Sequence, residues 1–200
     1  MSVRRAISER EGVYFITITN CNWLPLFELA DGFDAVYQWF DVLKSNGHYI
    51  LGYVIMPNHL HCLIAFSHTG GKSINSIVGN GKRFIAYDLI SKLKGKQADE
   101  LLVELATYVN QTDKKRGKLH EVFEPSFDCK RSYSAAFTEQ KLNYMHENPC
   151  RGKWSLAKNP GDYKHSSARY YLVGTHSVYE VNDFQKLSDI DLTKSHAESV

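Results

Sequence analysis

The sequence predicts an α+β fold, a ferredoxin-like or RRM-like antiparallel β-sheet with helices packed on one face. Three observations lead there. Short segments rich in β-branched and aromatic residues alternate in period two; longer segments carry apolar residues at helical spacing; and the two kinds follow one another as strand, helix, strand, strand, helix, strand.

Tyr14-Phe15-Ile16-Thr17-Ile18-Thr19 has the composition of a strand with a buried face, and is expected to be central. Asp31 to Asn46 places Phe33, Val36, Tyr37, Phe40 and Leu43 on one helical stripe, with Asp31 as a candidate cap and Gly47 as a stop. Tyr49 to Met56 reads as the second strand. Pro57-Asn58 suits the centre of a tight turn, because Pro presets φ and Asn tolerates a left-handed backbone. His59 to Phe66 is then the returning strand, with Leu60, Cys62, Ile64 and Phe66 on one face and His59, His61, Leu63 and Ala65 on the other.

Ser73 to Leu93 predicts a second long helix, straight or kinked, weakened in its first half by Gly79 and Gly81. Ala98 to Val109 predicts a shorter helix, and Thr112 to Leu119 its exposed exit loop. Val122-Phe123 and Phe127-Asp128 are the candidates for the fourth strand. Ser134 to Asn148 predicts a last helix, which must stop before Pro149. On its wheel Phe137, Lys141, Tyr144 and Asn148 share a face, with Leu142 and Met145 on an adjacent face suited to packing.

The chain has 200 residues, 43% of them hydrophobic, enough for one domain with a real core. With 24 Lys and Arg against 22 Asp and Glu, the formal charge is +2, so any surface for a polyanion must be local. Lys72, Lys82, Arg83, Lys92, Lys94 and Lys96 make one such local run. The four cysteines form no Cys-x-x-Cys pair, which argues against a zinc ribbon or a dithiol redox site and fits reduced thiols. No apolar run is long enough to span a membrane and no signal-like segment follows Met1, so a cytoplasmic protein is expected.

The most informative stretch is Met56-Pro57-Asn58-His59-Leu60-His61. Residues i and i+2 of a strand point to the same side, so His59 and His61 can converge on one ion; two half-buried, hydrogen-bonded histidines without a ligand are the alternative reading.

Taken together, His59-Leu60-His61 and Tyr144-Met145-His146-Glu147-Asn148-Pro149 resemble the motifs of the single-tyrosine transposases of the HUH endonuclease superfamily, especially the REP-associated tyrosine transposases. Phe127-Asp128 and the segment Asp162 to Tyr171 agree in order and spacing, so the resemblance spans most of residues 14 to 171. Departures at Phe123-Glu124, Cys150 and Arg151-Gly152-Lys153-Trp154 remove none of the motif's reactive groups.

The resemblance implies the HUH endonuclease fold over residues 1–175, with 176–200 as a C-terminal tail. It implies a single-strand-specific DNA endonuclease and strand transferase acting on DNA hairpins, as a monomer or a homodimer. Tyr144 would be the nucleophile. His59, His61 and Asn148 would hold Mg²⁺ or Mn²⁺, a choice that suits two imidazoles with oxygen ligands and open positions. Lys82, Arg83 and Lys141 are candidate DNA contacts, as are the aromatic residues Tyr163, Tyr170 and Tyr171 beside Arg169. Two other readings stay open: an inactive or domesticated relative that only binds nucleic acid, and a small metal-dependent hydrolase that uses the two histidines alone.

Overall fold

The computed structural model describes residues 11–67, 71–152 and 154–193. Lys153, the residues Met1 to Arg5 and the end of the expected tail, 194–200, lie outside the described residues. The strands are β1 (Gly12–Thr19), β2 (Tyr49–Met56), β3 (His59–Phe66) and β4 (Asp128–Ser132). The helices are α1 (Leu26–Leu29), α2 (Phe33–Ser45), α3 (Ile74–Gly95), α4 (Asp99–Thr107), α5 (Gln111–Lys115), α6 (Ala135–Glu147) and α7 (Ala168–Val173).

The strands form one antiparallel sheet in the order β2-β3-β1-β4, the order a split βαβ pattern generates. β1 is internal as expected. The β2–β3 hairpin closes through Pro57-Asn58, pairing Met56 with His59. Because side chains alternate along a strand, β1 and β3 each serve two environments: Tyr14, Ile16, Ile18, Leu60, Cys62, Ile64 and Phe66 enter the main core with α2 and α3. Phe15, Leu63 and Ala65 enter a smaller cluster on the other face with Leu142 and Met145 of α6. The sheet is thus covered on its main face by the two long helices and on the opposite face by α6.

Gly52 explains how close α6 comes. A Cβ at this position would lie 2.5 Å from Leu142 Cδ2 and 2.6 Å from Met145 Cε, so the missing side chain is the seat of the helix on β2. Gly81 has a comparable role between α2 and α3, where a Cβ would fall 2.3 Å from the Trp39 ring. α3 runs through both Gly79 and Gly81 as one helix, Ile74–Gly95. Ser73 and Ser134 cap α3 and α6 by accepting from the backbone N–H of Ser76 and Phe137, each at 3.2 Å.

Three boundaries differ from the sequence reading. Asp31 does not cap α2; it adopts a left-handed φ of 53°, and the helix begins at Phe33 after Gly32. The expected exit loop contains the single turn α5, capped by Asn110. The fourth strand lies at Asp128–Ser132, and Phe123 makes only an isolated bridge to Asn20. Lys130 and Arg131 disguised this strand, since an edge strand carries charge where an inner strand carries apolar residues.

The outer edge of β2 is closed by the chain's C-terminal part: Ile55 donates to His165 O, Ser167 to Tyr53 O and Asn182 to Ile50 O, at 2.7 to 2.9 Å. Tyr163 and Tyr171 donate their hydroxyls to Ile55 O and Leu51 O, so these two aromatics anchor the segment to the sheet. The cysteines among the described residues are free thiols, and no described helix is long and apolar enough to cross a membrane.

Candidate active site

The site begins with strand register. Thr17 and Thr19 of β1 face His61 and His59 of β3, on the side of the sheet that α6 covers. Thr17 Oγ1 lies 2.9 Å from His61 Nδ1, and the Asn58 side-chain oxygen lies 2.8 Å from His59 Nδ1. Each imidazole therefore has one nitrogen fixed by a neighbour, which orients the ring and leaves Nε2 to face a ligand. The two rings stand 4.7 Å apart at 73°.

Both histidines are nearly buried, and burial is the main reason that both stay neutral: it lowers His59 to about 4 and His61 to about 3. His59 and the Lys141 ammonium push His61 further in the same direction. Neutral imidazole is the form that binds metal.

Helix α6 brings the second half of the site. Its buried Leu142 and Met145 fix the helix against β2 and β3, and this turns Tyr144, half exposed at 50%, toward the histidines. The Tyr144 ring meets His61 edge to face at 5.5 Å and Phe15 at 6.2 Å, while Phe15 itself stacks on His61 at 5.3 Å. One turn earlier, Lys141 Nζ lies 5.2 to 5.6 Å from the ring centres of Phe137, Phe15 and Tyr144. Three aromatic faces hold this cation beside the phenol.

Asn148 follows Tyr144 by one turn. Its amide nitrogen donates to Tyr144 O at 3.1 Å and Met145 O at 3.5 Å, which leaves the carboxamide oxygen as the group able to ligate. His146 points the other way, buried and 2.8 Å from Ser167 Oγ, and takes no part in the cluster.

Lys82 and Arg83 are not brought to this cluster. They belong to α3 on the opposite face of the sheet, where Lys82 Nζ donates to Glu124 O at 2.6 Å and lies over the Phe123 ring. Arg83 is exposed.

Among the described residues no group of three or more His, Cys, Asp or Glu side chains comes together. Two neutral imidazoles side by side suit a divalent ion that completes its shell with oxygen ligands, not a closed structural zinc site.

No protein-family model matches the sequence, and no curated protein matches it significantly. Solved structures do. A REP-associated tyrosine transposase bound to a REP hairpin superposes over 92% of this chain and 95% of its own, with a TM-score of 0.55 at 17% identity. The chain has the fold of a tyrosine transposase. A candidate transposase from Deinococcus radiodurans R1 aligns over 74% of this chain and 97% of its own, with a TM-score of 0.41 at 19% identity.

Within this transposase fold the structure adds residues that the sequence reading passed over. Thr17 and Asn58 orient the two imidazoles, and Phe15 packs between His61 and Tyr144. Strand pairing could have singled out Thr17, but only once the β1–β3 register was known. Trp23, 58% exposed, meets His59 with ring centroids 5.8 Å apart and planes at 70°. It sits in a turn where both Asn22 (φ 51°) and Trp23 (φ 57°) are left-handed, a conformation that costs a non-glycine residue about 1 kcal/mol or more.

Proposed function

We propose that this protein is a single-strand-specific DNA endonuclease and strand transferase, a transposase that acts on DNA hairpins through a covalent tyrosine intermediate. The observation that carries the reading is the contact of Tyr144 with His61: a half-exposed phenol, two buried neutral imidazoles and an ammonium share one cluster. The hairpin bound by the structurally similar transposase supports the choice of substrate.

In the proposed reaction the Tyr144 oxygen attacks the scissile phosphorus. The new O–P bond replaces the P–O3′ bond, the DNA 5′ side is left as a phosphotyrosine, and the proton lost by the phenol is balanced by the one gained at the released 3′ hydroxyl. Attack by that 3′ hydroxyl, or by another, reverses the step and joins strands without ATP. Lys141 meets the phosphate charge next to the phenol, and Phe15 fixes the angle between the phenol and His61. His59, His61 and the Asn148 oxygen would hold Mg²⁺ or Mn²⁺, which when bound polarises the phosphate.

The test is incubation with a single-stranded hairpin oligonucleotide and Mn²⁺, followed by a denaturing gel. A protein–DNA adduct that disappears in Tyr144→Phe is expected. Tight DNA binding with no adduct under any divalent ion would make the chain a domesticated binder instead. Phosphoester turnover indifferent to Tyr144 would make it a hydrolase.

A further inference from the structure

We infer that Trp23 is a stacking platform for an unpaired base beside the scissile phosphate, so that the site itself selects single-stranded over duplex DNA. The inference rests on the DNA-cleavage reading above and concerns how the strand is held, not how it is cut.

Position is the first ground. Trp23 touches His59 and Tyr144 touches His61, so the two exposed rings bracket the histidine pair, one on each member. The other strongly exposed aromatics lie elsewhere: Phe84 and Tyr87 on α3 across the sheet, and Tyr133 just beyond β4. A base following the phosphate out of the cluster on the His59 side would meet this exposed indole.

The second ground is how the indole is held out. Its turn is left-handed at two consecutive non-glycine residues, and such a conformation persists only where the surroundings enforce it. They do so here. Trp23 N donates to Asn20 O at 3.0 Å, Cys21 N to Val122 O at 2.9 Å, Asn22 N to Glu124 Oε1 at 3.1 Å and Asn20 Nδ2 to Leu24 O at 3.0 Å. Asn20 is fully buried beneath the turn. Packing does not account for the arrangement, because the adjacent Leu26 and Phe27 are fully buried whereas Trp23 is left in solvent.

The third ground is chemical. An indole offers a broad π-face that accepts any base, but only a base whose own face is free; in a duplex both faces are already stacked. An aromatic platform next to the cleavage centre therefore discriminates by strandedness without reading sequence.

The experiment uses full-length Tyr144→Phe protein, which cannot form the adduct, with Mg²⁺ and a fluorescein-labelled single-stranded oligonucleotide, read by anisotropy against a duplex of the same length. Adding Trp23→Ala or Trp23→Leu is expected to weaken single-strand binding about tenfold, while Trp23→Phe keeps most of it and duplex binding is the same in every variant. Leucine supplies apolar bulk without a π-face, so a Leu variant that binds as well as Phe would overturn stacking. Undiminished binding by Trp23→Ala would overturn the inference and leave the cleavage reading intact. A Tyr144→Phe parent with no affinity for single strands would overturn both. Thermal melting of each variant separates lost binding from lost folding.

Discussion

The face of the sheet toward α2 and α3 is apolar along its strands, whereas the face toward α6 is apolar at one end and turns polar where Thr17, His59 and His61 emerge. The first builds a continuous core around Ile16, Ile55, Leu60, Ile64 and Phe40. The second gives Phe15, Leu51, Val54, Met56, Leu63 and Ala65 to Leu142 and Met145 before the polar groups begin. The contrast teaches a division of labour: most of the burial that stabilises the chain lies behind the sheet, and the chemistry proposed for the protein would be mounted on the thinner side. Variants of the two faces should therefore separate stability from activity.

The largest effect is expected behind the sheet. Phe40→Ala, which empties a fully buried site, should lower the unfolding free energy by about 3–5 kcal/mol in a denaturant titration. Retention of near-native stability in that variant would break the comparison.

Acid should act on both sides of the sheet. His59, His61 and His146 on the α6 side, and His48 and His165 against Phe66 and Phe33 of the main core, are held neutral, lowered to about 4 (His61 to about 3), all by burial first. In the unfolded chain they take up protons near pH 6.5 and in the folded protein they do not. Stability is therefore complete above about pH 6.5 and is lost as pH falls toward 4, by at most about 1.4 kcal/mol per pH unit for each imidazole. Calorimetric melting between pH 7.5 and 4 checks this; a Tm flat across that range would contradict it.

A cation should act on the α6 side. Saturating Mn²⁺ is expected to raise the melting temperature of the parent, by the equivalent of about 2.7 kcal/mol at a hundred times its dissociation constant, and to leave His61→Ala unmoved. An equal shift in that variant would place the ion elsewhere.

The smallest effects concern two glycines. Gly52→Ala should cost about 1–3 kcal/mol by crowding Leu142 and Met145, and should reduce adduct formation further than its melting point suggests, because α6 carries Tyr144. Gly79→Ala faces open space on α3 and should gain up to about 1 kcal/mol with adduct formation unchanged.

Much of this arrangement was legible in the sequence, for local reasons. Hydrophobic alternation placed β2 and β3 at their observed bounds, and the same alternation put His59 and His61 on one side with Leu60 behind them. Helical spacing put Lys141, Tyr144 and Asn148 on one face of α6. What could not be read was tertiary. The wheel of α6 shows that Leu142 and Met145 pack, but the face they choose depends on the space left by Gly52, about ninety positions before Leu142 and outside any local window. Lys82 and Arg83 looked suited to DNA by charge alone, and only the fold places them across the sheet with the Lys82 ammonium bound to loop carbonyls. Trp23 sits in a turn whose left-handed residues are neither glycine nor both asparagine, so no turn signature announces it.

The placement of Tyr144 against a histidine of its own chain has a kinetic meaning. With the phenol proposed as nucleophile and the imidazole in contact on one polypeptide, cutting within a chain would be first order in protein and would survive dilution. The matching expectation is that mixing a chain that lacks the phenol with one that lacks the imidazoles restores no cutting; restored cutting would show that the site is shared between chains.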